Sequence, residues 1–269
     1  MLINLIKYEM KAMGRILAPI YLLLIAASFL LSMTINSSLE DNSLLAMIFN
    51  RFDFIFVILF FLVTTGTAVV IAVLVIQRFY KNLLGTEGYL MFTLPVTTGQ
   101  HLISKLVTAL IWIALGGIAG GIGGLIIVAM SGDMAEFLEA LRTNWTAIAG
   151  FVGNNNSVAG TLWILVIVLL GILASLMHVY AAFAIGHLWN NHKVLGGILA
   201  YIAIAIAQSF LSNRLIDTAQ NAFSERSFTS NGLFVTTYNP LPAILVMLVF
   251  FAVYYAITWL LLERKLNLD

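Results

Sequence analysis

Long uncharged apolar runs alternate with short polar, charged stretches along the whole chain. Residues 16–35, 54–76, 106–130, 162–186, 194–212 and 241–262 contain no Asp, Glu, Lys or Arg. Each approaches or exceeds the roughly 20 residues that a helix needs to cross a ~30 Å hydrocarbon core. All 13 basic and 12 acidic residues fall outside these runs. In lipid every backbone N–H and C=O must be bonded within its own segment, and the runs are too long for barrel strands. The pattern therefore predicts an all-α, polytopic membrane protein with six transmembrane helices. With 61% hydrophobic and 9% charged residues and a mean hydropathy of +1.02, the composition excludes a water-soluble globule.

Charge enters next, through its distribution rather than its net value of +1. Lys7, Lys11, Arg15, Arg78, Lys81, Lys105, Lys193, Arg264 and Lys265 share one side of the predicted topology, against Arg51, Arg142, Arg214 and Arg226 on the other. The positive-inside rule then places both termini in the cytoplasm of a multi-pass plasma-membrane protein. Ahead of the first run, Leu2, Leu5, Ile6, Met10 and Met13 recur at helical spacing with Asn4, Lys7 and Lys11 off the stripe. That is the pattern of an interfacial helix; the simpler alternative is an ordinary start to the first span. The first run is read as an uncleaved span, since it is longer than a signal-peptide core and lacks a small-residue cleavage site. No linker or low-complexity segment divides residues 1–269, which are read as one domain.

Most chemistry-bearing motifs are missing. No phosphate-cradling G-x-x-x-x-G-K-[ST] run and no H-E-x-x-H pair occurs, and the chain has no Cys. His187 and His192 flank a short turn, and nothing nearby completes a metal-ligand set for them. No nucleic-acid partner, catalytic residue, metal site or cofactor of the chain's own is expected. His178 differs, because an ionisable group inside a span is a functional candidate; it lies one turn after Ser175, and a neutral imidazole bridging helices explains it equally well. Thr64, Thr65 and Thr67 make a polar band in the second run, either lining a substrate path or bonding their own helix carbonyls. In the third run Gly116, Gly120 and Gly124 form one small-xxx-small row and Gly117 and Gly121 another, suited to helix packing or to a dimer seam. The apolar runs hold no carboxylate or cation, so an ion gradient is not the expected energy source. On the outer side, a helix over 133–141, an apolar patch over 145–152 and the loop-like run Gly153, Asn154, Asn155, Asn156 and Ser157 are expected.

The second and third runs are joined by a charged island, RFYKNLLGTEGYLMFTLPVTTGQHLISKL, from Arg78 to Leu106. It breaks at Gly85, resumes with Tyr89, Leu90, Phe92 and Leu94, turns at Pro95 and restarts with Thr97 or Thr98 as N-cap. A short amphipathic helix between two spans is the product. Glu87, Gly88, Leu90, Leu94, Pro95 and Lys105 stand in the order found in the corresponding loop of the permease subunits of type-2 ATP-binding-cassette exporters, and the run resembles the Gram-positive bacterial form. Arg78 and Lys81 depart from the acidic start usual there.

The resemblance implies a single exporter-type transmembrane domain whose loop is a cytoplasmic coupling helix. Glu87, Gly88, Tyr89, Phe92, Leu94 and Pro95 would then contact a separate ATP-binding subunit. It further implies a homodimer, or a heterodimer with a second permease, with ATP and Mg held by the partner chain and an amphiphilic substrate exported across the bilayer. Two other readings stay open from the residues themselves: an intramembrane enzyme centred on His178, and a membrane sensor or docking protein without transport.

Overall fold

The structure is a computed structural model describing residues 2–37, 44–85, 88, 96–153, 156–189, 192–223, 226–228, 234–236 and 239–264. In chain order the elements are α1 (Leu2–Ser37), α2 (Leu44–Phe79), a π-helical turn (Tyr80–Leu84), α3 (Thr98–Ser131), α4 (Met134–Val152), α5 (Ser157–Gly186), α6 (Lys193–Phe223), β1 (Arg226–Phe228), β2 (Phe234–Thr236) and α7 (Leu241–Arg264). Among the described residues six helices are long and apolar enough to cross a membrane, within α1, α2, α3, α5, α6 and α7. They coincide with the six uncharged runs and extend most of them.

The structure differs from the sequence reading in three places. The N-terminal stripe is not a separate helix: α1 runs unbroken from Leu2 to Ser37, with Pro19 inside it. Pro19 lacks the N–H that would bond the Arg15 carbonyl, yet a single missing bond does not end a helix that is otherwise packed. The outer helix expected over 133–141 continues to Val152 as α4, because no Gly or Pro interrupts residues 133–149. Finally, β1 and β2 pair antiparallel with Arg226 opposite Thr236, a small ribbon that the all-α reading did not include.

The fold divides into two compact units, Met1–Arg78 with Ile103–Leu141, and Phe79–Leu102 with Arg142–Asp269. In the first unit Met13, Leu17, Tyr21, Leu24, Ser28 and Leu31 form a buried stripe along α1 at three- and four-residue spacing. It meets α3 in contacts that advance in step along both helices. The Glu9 carboxylate pairs with the Lys105 ammonium. A side chain at Gly14 would come within 2.9 Å of the Trp112 ring. Tyr21 donates its hydroxyl to the Trp112 carbonyl at 2.7 Å, Ser28 lies against Gly123, and Ser32 donates to the Met130 sulfur at 2.9 Å. The two helices are therefore parallel, as first and third spans must be. At the end of α3 the chain turns through Gly132 at φ +86°, a left-handed conformation that lacks a steric cost only for glycine.

In the second unit α5 packs against α6 and α7. The buried stripe on α5 is built of small residues, Ala174, Ala181, Ala184 and Gly186, interleaved with Met177 and His178. Lipid offers no hydrophobic drive for helices to associate, so close backbone approach through small residues is what holds them. Gly186 lies directly on the Gly197 backbone, and Gly160 on that of Ala149. The turn before α5 is closed by Asn156, whose side chain accepts from the Val158 and Ala159 amides at 3.1 Å.

Candidate functional site

The segment joining α2 to α3 belongs to the same unit as α5, α6 and α7. Helix α2 loosens at its end into the π turn, which buries Asn82, Leu83 and Leu84 and stops at Gly85 in an extended conformation, φ −92°, ψ −174°. Such π segments concentrate at functional positions because they redirect side chains without ending the helix. Here Phe79, fully buried, stacks on Tyr180 of α5 with centroids 4.1 Å apart and planes 7° from parallel. Tyr80 meets Phe183 and His187 edge-on, each at 6.2 Å. Phe79 and the π turn after it thus lie at the C-terminal end of α5.

Beyond the π turn the Gly88 amide donates to the Gly85 carbonyl at 2.9 Å and Gly88 is buried. The remaining expected partner contacts, Glu87, Tyr89, Phe92, Leu94 and Pro95, lie outside the described residues. The chain resumes at a reciprocal cap: Thr97 Oγ1 accepts from the Gln100 amide while Gln100 Oε1 accepts from the Thr97 amide, both at 3.4 Å. This is a capping box opening α3. Two residues into the helix, a side chain at Gly99 would come within 3.1 Å of the Tyr255 hydroxyl on α7.

Lys105 was expected to serve as one of the loop cations that set orientation. Instead its side chain and that of Glu9 are only 4% and 6% exposed. They pair where α1 and α3 run on past the uncharged stretches, so the contact is buried although the uncharged runs themselves hold no charge. On α3, His101, Ser104, Lys105 and Thr108 are all buried at helical spacing, a polar stripe that the sequence reading did not single out. The signal available to find it was the i, i+3, i+4, i+7 recurrence of polar side chains at a span entrance.

His178 is 7% exposed and sandwiched between aromatic rings, 4.5 Å from Tyr201 and 5.2 Å from Tyr254. Its Nε2 faces the Tyr201 carbonyl at 3.3 Å; a carbonyl only accepts, so Nε2 carries the proton. Tyr254 in turn donates its hydroxyl to Gln208 Oε1 at 2.8 Å. This cluster ties α5 to α6 and α7, the bridging role that the sequence left as an alternative. Ser175 is exposed and donates its proton to the Ile172 carbonyl at 2.8 Å, so no relay to His178 is formed there.

The second-span threonines bond inward to their own helix: Thr64 to the Phe60 carbonyl at 2.8 Å and Thr67 to that of Val63 at 2.7 Å. Thr64 and Thr65 are exposed, Thr67 buried. The glycine rows separate in the same manner. A side chain at Gly116 would meet Ile71 and the Tyr21 hydroxyl at 3.1 Å, whereas Gly117, Gly120, Gly121 and Gly124 have open space beside them. Past the end of α5, burial and then the nearby Lys193 ammonium push the His187 imidazole below the ordinary histidine range. Its Nδ1 is buried with no hydrogen-bond partner among the described residues. There too, no group of three or more His, Asp or Glu side chains is arranged to hold a metal ion.

No family model matches the chain, and neither a curated protein nor a solved structure matches it.

Proposed function

We propose that this chain is the membrane-spanning permease subunit of an ATP-driven ABC exporter, with its termini in the cytoplasm and its energy supplied by a separate ATP-binding subunit. The observation that carries the reading is the anchoring of the 79–102 segment. Its entry is stacked onto α5 through Phe79 and Tyr180, so a push on the loop between α2 and α3 is delivered to a packed helix rather than absorbed by a free connector. A coupling helix requires that property. Glu87, Gly88, Tyr89, Phe92, Leu94 and Pro95 are the proposed contacts with the partner, which holds ATP and Mg. The open glycine face at Gly120 and Gly124 suits a seam with a second permease copy or sister, since small residues let helix backbones approach. The cargo that suits an apolar, largely uncharged interior is amphiphilic.

The test is co-purification of the tagged full-length chain from its native membrane, wild type against a Glu87→Arg, Leu94→Asp double variant. An ATPase subunit should accompany the wild type and be lost from the variant, while both insert equally. Recovery of no ATPase with either form would overturn the exporter reading. Recovery that is indifferent to the double substitution would overturn the coupling-loop assignment alone.

A further inference from the structure

The hairpin between α5 and α6 contains a groove that none of the roles above uses. Its floor exists because Gly186 touches the Gly197 backbone and Gly196 carries no side chain; one there would strike Trp189 at 2.8 Å. Larger neighbours stand up around this low point, leaving a cavity of about 410 Å³ lined by Ile185, Leu188, Trp189, Gly196, Leu199 and Ala203. That volume falls in the range of small-ligand sites, roughly 300–1,000 Å³. The lining is almost wholly apolar, and Leu188 and Trp189 are 47% and 56% exposed. Tryptophan at the end of a span favours the headgroup level of a bilayer, where an apolar ring and an N–H are both accommodated.

The turn that joins the two lining helices carries a single charged side chain, Lys193, and no acidic one. His187, His192 and Lys193 cluster at the turn, and residues 185–203 include no Asp or Glu. Lys193 opens α6 one helical turn before Gly196 and acts electrostatically on His187. An apolar slot between the ends of two candidate spans, with Lys193 at the adjoining turn, matches a molecule having a hydrocarbon chain and an anionic head. Basic pockets between transmembrane helices bind acidic lipid headgroups by this chemistry.

We propose that the α5–α6 groove binds one anionic phospholipid of the adjacent leaflet, its acyl chain along Leu188, Trp189 and Leu199 and its phosphate on Lys193 and His192. The site holds whether or not the chain works with an ATPase, because it uses only this hairpin and the bilayer.

The experiment is native mass spectrometry of the full-length chain in detergent, titrated separately with phosphatidylglycerol and phosphatidylcholine. Phosphatidylglycerol should be retained roughly fivefold more tightly, the size expected of one basic residue at a membrane surface. Lys193→Glu should abolish that preference; a carboxylate is favourable in the first turn of a helix, so α6 itself is not weakened. Ala203→Trp, which fills the groove from an exposed α6 position, should reduce retention of both lipids. Phosphatidylglycerol brominated on its acyl chain should quench a tryptophan signal that is missing from Trp189→Phe. Equal retention of the two lipids, or an unchanged preference in Lys193→Glu, would overturn the proposal and leave an ordinary lipid-facing surface. A monomer–dimer shift in Ala203→Trp with lipid retention unchanged would also overturn it, assigning the groove to contact between copies.

Discussion

The α1–α3 interface and the α5–α6–α7 interface solve the same problem by different chemistry. In the first, polar groups meet across the seam: Glu9 with Lys105, Tyr21 with the Trp112 carbonyl, Ser32 with Met130. In the second, backbones touch at Gly186 and Gly197 and rings stack, His178 between Tyr201 and Tyr254. With lipid as apolar as any side chain, association must come from hydrogen bonds, ion pairs or close packing. The polar seam includes one buried ion pair whose loss strands a charge, whereas the packed seam rests on close backbone approach and tolerates little added volume at Gly186. The two should therefore fail under opposite substitutions.

The largest effect is expected at the ion pair. Lys105→Met removes the ammonium that pairs with the buried Glu9 carboxylate, and breaking a buried ion pair from one side costs about 3–5 kcal/mol in soluble proteins. Thermal unfolding in detergent should show this loss, and the Glu9→Gln, Lys105→Met double variant should recover much of it. A loss below about 1 kcal/mol, the range of solvated surface pairs, would mean that the seam is held elsewhere. Next in size is a contrast between two span glycines. Gly186→Val drives a side chain into the Gly197 backbone and should cost ~1–3 kcal/mol or more, while Gly120→Val, with open space beside it, should stay within ~0.5 kcal/mol. Equal losses at the two positions would erase the distinction drawn from packing. If Gly120→Val instead leaves stability intact but abolishes cross-linking between copies, the open face is the dimer seam. The smallest effect is Tyr180→Leu, which removes the Phe79 stack, worth ~0.5–1.5 kcal/mol beyond its buried area. Hydrogen exchange of the Tyr80–Leu84 amides should accelerate more in this variant than in Tyr201→Leu.

These seams also separate what was legible from what was not. The six spans could be read directly, and the structure mostly lengthens them, because a helix continues into polar sequence until something stops it. The run from Leu141 to Trp145 offers no such stop, so a patch expected to stand apart became the second half of α4. His178 stood out as an ionisable group inside a span, but its ring partners did not, since Tyr201 and Tyr254 lie on two other helices. Among the third-span glycines the rows announced close contact without naming the partner. Gly123, off both rows, is the one pressed against Ser28, while Gly120 and Gly124 face open space. Lys105 was counted among the loop charges because nothing near it in sequence indicates that Glu9, 96 residues away, turns it inward. Of the expected partner contacts, only Gly88 falls within the described residues.

Helical class, span number and the bias of basic residues follow from composition one segment at a time. A bilayer imposes its length and requires internal hydrogen bonding on each segment separately, so local sequence suffices. Which polar groups pair, which glycines are covered and which groove stays open depend on side chains brought together from distant positions. A run of apolar residues is equally content against lipid or another helix, and only the packed fold decides between the two.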